Sequence, residues 1–316
     1  MPSIHFSDNA RRDFLKKSLF AGLGLAALEL SPLELFARTE LVKLTILHTN
    51  DVHSRIDPFP ANDPRYPNMG GVAPRAELIK SIRATEPNVL LFDCGDIFQG
   101  TPYFNLYKGE LEMKLMSQMG YDAGTIGNHD FDLGVEGLEK QLVFANFPLL
   151  SANYDFTDTA MQGKTLPYKI FVKNGVKVGV FGVGIELDGL VGKNMYGNTR
   201  YLNPIANANF MADKLKCELG CHLVICLSHL GFSYEDNKVS DKILAQNSKD
   251  IDIILGGHTH TFLDKPWMEA NTKKQEVMIC QVGFGGIKLG RIDCVFKTNG
   301  KLLGKEFTEQ KIFKKQ

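Results

Sequence analysis

The sequence has no net charge, and it has no long apolar run beyond its amino-terminal region. Its 316 residues include 36 basic and 36 acidic side chains, so the formal charges cancel. Without a strong positive field, the chain lacks the general attraction to nucleic-acid backbones and anionic membranes that basic proteins have. After residue 40, no apolar stretch approaches the length of a membrane helix. We therefore expect neither a nucleic-acid polymer nor a membrane as a partner of the processed chain. An anionic substrate would need a local positive charge, which bound metal ions could supply.

The sequence also lacks a C-x-x-C pair, although it contains six cysteines. Most of them lie inside apolar runs, such as the run from 223 to 227, where a cysteine behaves as a small buried apolar residue. Cys217 and Cys221 are four residues apart, and we expect packed thiols there rather than a disulfide. Cysteine usage therefore does not decide the compartment.

The amino terminus indicates export. Arg11 and Arg12 precede an apolar stretch from Ser18 to Leu30, which is too short to span a bilayer but typical of a signal sequence. The pattern resembles twin-arginine export signals. We predict that residues 1–37 form such a signal, with cleavage near Ala37, and that the protein reaches the periplasm. The alternative is an amphipathic first helix of the folded domain.

After residue 37 the pattern is that of one α/β domain, predicted to span residues 38–316. Short apolar runs predict strands and helical spacing predicts helices, and neither internal repeats nor a low-complexity linker interrupts them. Asn174-Gly175 between two β-rich runs predicts a tight hairpin. The predicted strands are 41–47, 89–92, 123–126, 170–172, 176–183, 223–227, 251–255, 277–282, 288–296 and 302–307. The predicted helices are 73–82, 111–119, 135–144 and 205–215.

Five of the predicted strands stop abruptly at polar residues of metal-binding type. Ligands bind beyond the carboxyl ends of strands in α/β sheets, so five such ends suggest one convergent site. A single Asp or Asn after a strand is usually a helix cap or turn residue, but the set favours a metal site. Residues two apart in extended chain point the same way, so we expect the pair Asp51 and His53 and the pair His258 and His260 each to address one centre. Imidazole and carboxylate ligands suit Zn, Mn or Fe.

The ordered motifs resemble those of the calcineurin-like metallophosphoesterases. The motifs are Asp51-Val52-His53, Gly95-Asp96, Gly127-Asn128-His129-Asp130, His229 and Gly257-His258-Thr259-His260. Two segments, 96–102 and 128–132, are similar to the 5′-nucleotidase branch of that family. The resemblance covers about residues 41–299. It implies an α/β four-layer sandwich in which helices flank two mixed β-sheets.

The resemblance also implies two divalent metal ions and a ligand set for each. The first ion would take Asp51, His53 and His260. The second would take the residues Asn128, His229 and His258. Asp96 would bridge both ions, because one carboxylate between two cations relieves their repulsion. The ions would turn a bridging water into a hydroxide nucleophile and hold the phosphate oxygens.

His129 and Asp132 are the candidate catalytic residues. His129 follows the candidate ligand Asn128, and neighbouring residues point in different directions, so we expect its ring to stay off the metals. The resemblance implies that His129 stabilises the transition state and the leaving group. Asp132 could orient the His129 ring from one helical turn away. The alternative for Asp132 is an acidic residue that favours a helix amino terminus.

These features predict a metal-dependent hydrolase of small phosphate monoesters, with nucleotides as the expected substrates. The alternatives are a cyclic-nucleotide phosphodiesterase and a sulfur-ester hydrolase. In two-domain 5′-nucleotidases a further carboxyl-terminal domain holds the nucleoside, whereas this sequence ends at Gln316. A catalytic half that needs a separate substrate-binding subunit is therefore another alternative.

Overall fold

The structure is a computed structural model that describes residues 41–313. The predicted export signal at 1–37 lies outside the described residues and stays a prediction. The described residues belong to one compact unit that begins at Leu41. None of its helices is long and apolar enough to cross a membrane.

The described chain contains strands and helices in an irregular alternation. The strands are β1 Leu41–Thr49, β2 Val89–Asp93, β3 Ala123–Gly124, β4 Tyr154–Asp155, β5 Tyr168–Lys173, β6 Val176–Gly184, β7 Arg200–Tyr201, β8 Leu223–His229, β9 Ile253–Leu255, β10 Trp267–Ala270, β11 Glu276–Cys280, β12 Lys288–Lys297 and β13 Leu302–Lys311. The α-helices are α1 Val72–Thr85, α2 Pro102–Tyr107, α3 Glu110–Met119, α4 Gly134–Gln141, α5 Lys193–Tyr196, α6 Pro204–Asp213 and α7 Asp241–Gln246. Two 3₁₀ turns, His129–Phe131 and Leu142–Phe144, and a π-helical turn, Lys214–Glu218, complete the helical structure.

Two mixed sheets form the centre of the fold. The first has the strand order β13-β12-β1-β2-β3, and the second has the order β10-β11-β9-β8-β6-β5. In each sheet the central strands run parallel, from β1 to β3 and through β6, β8, β9 and β11. The antiparallel strands are β12 and β13 at one edge of the first sheet and the edge strands β10 and β5 of the second. Parallel central strands place several carboxyl ends at the same edge of each sheet.

Side-chain alternation explains why the sheets stack face to face. On β1, Leu44 and Ile46 join a buried cluster with Ile225 and Leu227 of β8, which fills the space between the sheets. Leu47 points the opposite way, as the period of two requires, and packs with the helices α1 and α3. The outer face of the second sheet packs on α6 and α7 in the same manner. The fold is therefore helix–sheet–sheet–helix, which confirms the predicted four-layer sandwich.

Local predictions agree with the structure where the sequence signal is strong. Asn174 and Gly175 have positive φ angles of 46° and 81°, as a tight hairpin between β5 and β6 requires. The helix predicted over 135–144 instead ends at Gln141 and continues as a 3₁₀ turn. The strand predicted over 123–126 keeps only two residues, because the chain turns into the candidate site at once. All six cysteines are free thiols, as expected, but Cys217 is exposed rather than packed.

Candidate metal centre

The candidate ligands lie at the carboxyl ends of five parallel strands, three in the first sheet and two in the second. In register, Thr49 of β1 lies opposite Asp93 of β2, and Asp93 lies opposite Gly124 of β3. These three strands therefore end in line. The candidate ligands that follow them are Asp51 and His53 after β1, Asp96 after β2 and Asn128 after β3. The second sheet contributes His229, the last residue of β8, and His258 and His260 after β9. The centre is thus built from both sheets.

One group of donor atoms comprises Asp51, His53 and His260, whose atoms lie within 4.8 Å of one another. The Nε2 atoms of His53 and His260 are 2.9 Å apart, and His260 Nε2 lies 3.5 Å from Asp51 Oδ1. His53 Nδ1 lies 3.3 Å from the Phe98 carbonyl oxygen. A carbonyl can only accept, so Nδ1 donates and Nε2 keeps the lone pair that a metal needs.

A second group comprises Asp96, His229 and His258, again within 4.8 Å. His229 Nδ1 donates to the Cys94 carbonyl at 2.6 Å, which leaves the lone pair on Nε2 facing Asp96 Oδ2 at 3.2 Å. The side-chain oxygen of Asn128 lies 2.8 Å from His258 Nδ1, so this amide joins the second group. Contacts shorter than 4 Å link all seven candidate ligands into one cluster.

The donor atoms fit divalent cations of the Zn, Mn or Fe class. His229 Nε2 is fully buried and makes no hydrogen bond within the described chain. A lone pair that faces a carboxylate oxygen is repelled unless a proton or a cation lies between them. Two imidazole nitrogens that share one ion at about 2.0–2.1 Å lie about 3 Å apart, which is close to the separation of His53 and His260. Nitrogen and oxygen donors without thiolate match this metal class.

Buried charge makes the centre strongly attractive to cations. Burial alone would disfavour the His229 imidazolium, but the Asp96 carboxylate outweighs it and raises the pKa of His229 to about 10. Burial raises the pKa of Asp96, but His229 outweighs that effect and lowers it overall. Burial also lowers the pKa of His258 to about 4 and lowers that of His53, so both imidazoles are neutral at pH 7 and able to ligate.

Five of the seven candidate ligands have positive φ angles, which is uncommon for residues other than glycine. They are Asp51 at 49°, His53 at 48°, Asp96 at 54°, His258 at 75° and His260 at 52°. The extended backbone that we assumed for the two pairs is therefore absent, although Asp51 and His53 do lie in one donor group as expected. With this left-handed backbone, His258 lies in the second donor group and His260 in the first. Strained backbone of this kind clusters at functional sites.

His129 and Asp132 lie beside the donor groups. His129 Nδ1 is 3.0 Å from Asp132 Oδ2, and the His129 backbone N–H donates to Asp96 Oδ1 at 2.8 Å. The ring centroid of His129 is 5.4 Å from that of His53. The hydrogen bond with Asp132 raises the pKa of His129, against a smaller opposite effect of burial. The structure thus brings the two candidate catalytic residues together at the rim of the centre.

Comparison with known families identifies the fold. Residues 44–262 match the family model of the calcineurin-like phosphoesterases. The chain belongs to this family of metal-dependent enzymes. It is 35% identical to a snake venom 5′-nucleotidase of Gloydius brevicauda over 281 residues, which are 83% of this chain and 46% of that protein. It is 40% identical to a 5′-nucleotidase of Bos taurus over 238 residues, which are 70% of this chain and 38% of that protein.

Solved structures agree with the sequence relatives. The crystal structure of a 5′-nucleotidase precursor from Thermus thermophilus superposes with a TM-score of 0.77 at 30% identity, over 86% of this chain and 55% of that chain. This calcineurin-like phosphoesterase thus spans about half or less of the length of the curated relatives that it matches.

Sequence reasoning assigned no role to three buried residues that hold the ligand loops of this calcineurin-like phosphoesterase. Asn50 donates to Asp51 Oδ2 at 2.6 Å and accepts from the Val282 N–H at 3.0 Å, which ties β1 to the second sheet. Asp130 accepts backbone N–H groups of residues 96–98 and 127. Gln281 contacts the loop that carries His258 and His260. Asn50 adjoins the motif that begins at Asp51, and Asp130 is the last residue of the motif that begins at Gly127. Position in the motifs could therefore have indicated both residues, whereas Gln281 lies outside them.

Proposed function

We propose that this protein hydrolyses phosphate monoesters, and nucleotides in particular, with two divalent metal ions. One observation carries the proposal. Asp96 Oδ2 lies 3.2 Å from His229 Nε2 in one donor group and 3.8 Å from His53 Nε2 in the other. A carboxylate between two sets of donors is the arrangement that a two-metal centre requires.

Each residue then has a definite task. Asp51, His53 and His260 would hold the first ion, and Asn128, His229 and His258 would hold the second. Asp96 would be shared between them. When bound, such ions lower the pKa of water and stabilise the charge that develops on the phosphate oxygens.

His129 would act on the leaving group. Its backbone N–H is anchored on Asp96, which places its ring at the rim of the centre, and Asp132 holds the ring through Nδ1. Nε2 is then the atom that faces the substrate and can donate to the leaving oxygen. Because Asp132 favours the protonated ring, His129 is able to supply that proton.

The names of the relatives support the choice of nucleotides as substrates. The relatives compared above are 5′-nucleotidases, and the chain covers only part of each. We therefore propose that a nucleoside monophosphate binds with its phosphate on the two ions that Asp96 would share. A separate subunit that holds the nucleoside remains part of the proposal, and a high KM of the isolated chain for nucleotides would support it.

The Asp96→Ala variant tests the proposal. We expect the parental protein to contain two ions by elemental analysis, and the variant to lose at least one ion and several orders of magnitude in activity. Asp213→Ala is the matched control, because Asp213 belongs to an exposed group with Cys217 and Asp250 that could also attract a cation. That control should keep both ions and full activity.

Two results would contradict the proposal. Active parental protein with one ion or none would exclude the two-metal centre. Faster hydrolysis of bis(para-nitrophenyl) phosphate than of para-nitrophenyl phosphate would favour the diesterase alternative instead.

We further propose export through the twin-arginine route, directed by residues 1–37. Arg11, Arg12 and the following apolar stretch support this proposal. A route for folded proteins suits an enzyme that must load its metals before it leaves the cytoplasm.

A further inference from the structure

The loop 256–261, which carries two candidate ligands, is fixed at both ends by the strand beside it. The Gly256 N–H donates to the Cys280 carbonyl at 2.8 Å, where the loop leaves β9. The Gly283 N–H donates to the Thr261 carbonyl at 3.0 Å, where the loop ends. These two backbone bonds set the ends of the loop. Inside it, the Thr259 N–H donates to the Gly257 carbonyl at 3.0 Å, and the His258 N–H donates to Asp51 Oδ1 and Oδ2 at 3.0 Å each.

The interior of this loop has an unfavourable backbone conformation. His258 and His260 both have positive φ angles, of 75° and 52°. Residues other than glycine adopt this region uncommonly, and they stay there only when the surrounding structure holds them. Side-chain contacts inside the loop add to the bonds already described.

The side chain of Gln281 spans the loop from the inside. Its Oε1 accepts the Thr261 N–H at 2.5 Å and the Thr259 hydroxyl at 3.1 Å. Its Nε2 donates to the Gly257 carbonyl at 2.5 Å. One amide thus contacts the residue before His258, the residue between the two histidines and the residue after His260. Gln281 is fully buried, so water cannot replace these bonds.

The two histidines belong to different donor groups. His258 lies with Asp96 and His229, and His260 lies with Asp51 and His53. A change in the loop would therefore disturb both groups at once, whereas loss of one ligand disturbs mainly its own group.

We propose that Gln281 is a positioning residue that sets the spacing of His258 and His260 and thereby the affinity for both metal ions. The inference rests on the proposed two-metal function. Residues that orient metal ligands typically contribute about 10- to 100-fold to metal affinity. Gln281→Met keeps the length of the side chain but removes all three hydrogen bonds. We expect it to lower the affinity for both ions by about 10- to 100-fold.

Asn271→Leu is the matched control. Gln281 directly follows β11, and Asn271 lies in the turn that precedes β11. Asn271 is also a buried amide, and its Oδ1 accepts the Lys273 and Gln275 N–H groups at 2.9 Å each. It holds a turn as Gln281 holds the ligand loop, but no candidate ligand lies in that turn. Both substitutions should lower the Tm of the metal-free protein, because both remove buried hydrogen bonds.

The experiment measures the dissociation constants of both ions by competition with a chelator, together with the visible spectrum of the cobalt-substituted protein. We expect Gln281→Met alone to raise both dissociation constants and to change the cobalt spectrum. Equal metal affinity in Gln281→Met and the parental protein would overturn the inference. An equal rise of both dissociation constants in Asn271→Leu and Gln281→Met would overturn it as well.

Two further points keep the test decisive. If Gln281→Met does not fold, Thr259→Val removes the hydroxyl bond to Gln281, together with the contacts of that hydroxyl with the Phe232 N–H and the Thr261 hydroxyl, and should give a smaller rise of both constants. No rise in Thr259→Val would then count against the inference. Parental protein that binds fewer than two ions would refute the proposed function itself. Tight binding of two ions by both the parental protein and Gln281→Met would refute only the inference about Gln281.

Discussion

Removal of the His129 side chain separates catalysis from metal binding. His129 lies at the rim of the centre and touches Asp96 through its backbone N–H, which His129→Ala retains. We therefore expect His129→Ala to keep both ions, while kcat for a nucleoside monophosphate falls by about 10²- to 10⁴-fold, as is typical when a general acid is removed. The loss should be smaller for para-nitrophenyl phosphate, because its leaving group needs little protonation.

The contribution of Asp132 can be estimated from its geometry. The Nδ1–Oδ2 distance of 3.0 Å describes a good hydrogen bond, but 39% of the His129 side chain and 30% of the Asp132 side chain are exposed. A hydrogen bond to a charged group contributes about 1.5–3 kcal/mol, and solvent screening reduces an exposed pair to about 1 kcal/mol or less. We therefore expect Asp132→Asn to lower kcat by about fivefold, with the same dependence on the leaving group.

The assay compares kcat for the two substrates and the metal content of each variant. Glu136→Gln is the control, because Glu136 lies in the first turn of α4 and tests whether any acidic residue near this helix start would act in the same way. It should leave the ratio of the two kcat values unchanged. If His129→Ala loses metal and slows both substrates equally, His129 is a ligand or structural residue and the reasoning is refuted.

Two further predictions concern the fold and the export signal. His48 is fully buried without a hydrogen-bond partner in the described chain, and burial lowers its pKa from 6.5 to about 3. Below pH 6.5, His48 is protonated in the unfolded chain but stays neutral in the folded chain. The free energy of unfolding therefore decreases as the pH falls from 6.5 towards 3, by about 2 kcal/mol at pH 5. Urea unfolding at pH 7 and pH 5 measures this decrease, which should be about 2 kcal/mol smaller in His48→Gln than in the parental protein. An equal decrease in both proteins would contradict the prediction. Arg11→Lys combined with Arg12→Lys should leave the precursor in the cytoplasm by cell fractionation, and periplasmic protein in that variant would exclude the twin-arginine route.

The sequence predicts the architecture of this protein well because its central strands are buried on both faces. Runs such as 89–92 and 223–227 are apolar throughout, and in the structure every residue of β2 and β8 is buried. Short elements such as α2, α7 and β10 were not predicted. They have fewer than seven residues, and their positions depend on packing against the larger elements rather than on local periodicity.

The candidate site could be predicted as a set of residues but not as a geometry. Strand ends and family motifs indicated which residues converge, and the structure places all seven in one cluster. The argument from extended backbone failed, because residues such as Asp51 and His258 take left-handed conformations that no spacing rule contains. Gln281 is invisible to sequence reasoning for a related reason, since its role depends on a contact between two loops of the fold.

The same geometry couples metal binding to the stability of this fold. The centre joins His53 and the carboxylates of the first sheet to imidazoles of the second, and the carboxylates of Asp51 and Asp96 are both buried in it. Without a cation, this arrangement costs electrostatic free energy that the packed core must offset. A bound ion removes the repulsion and stabilises only the folded state, which alone assembles the ligands. Metal loading should therefore follow or accompany folding, and this order agrees with the proposed export of an already folded protein.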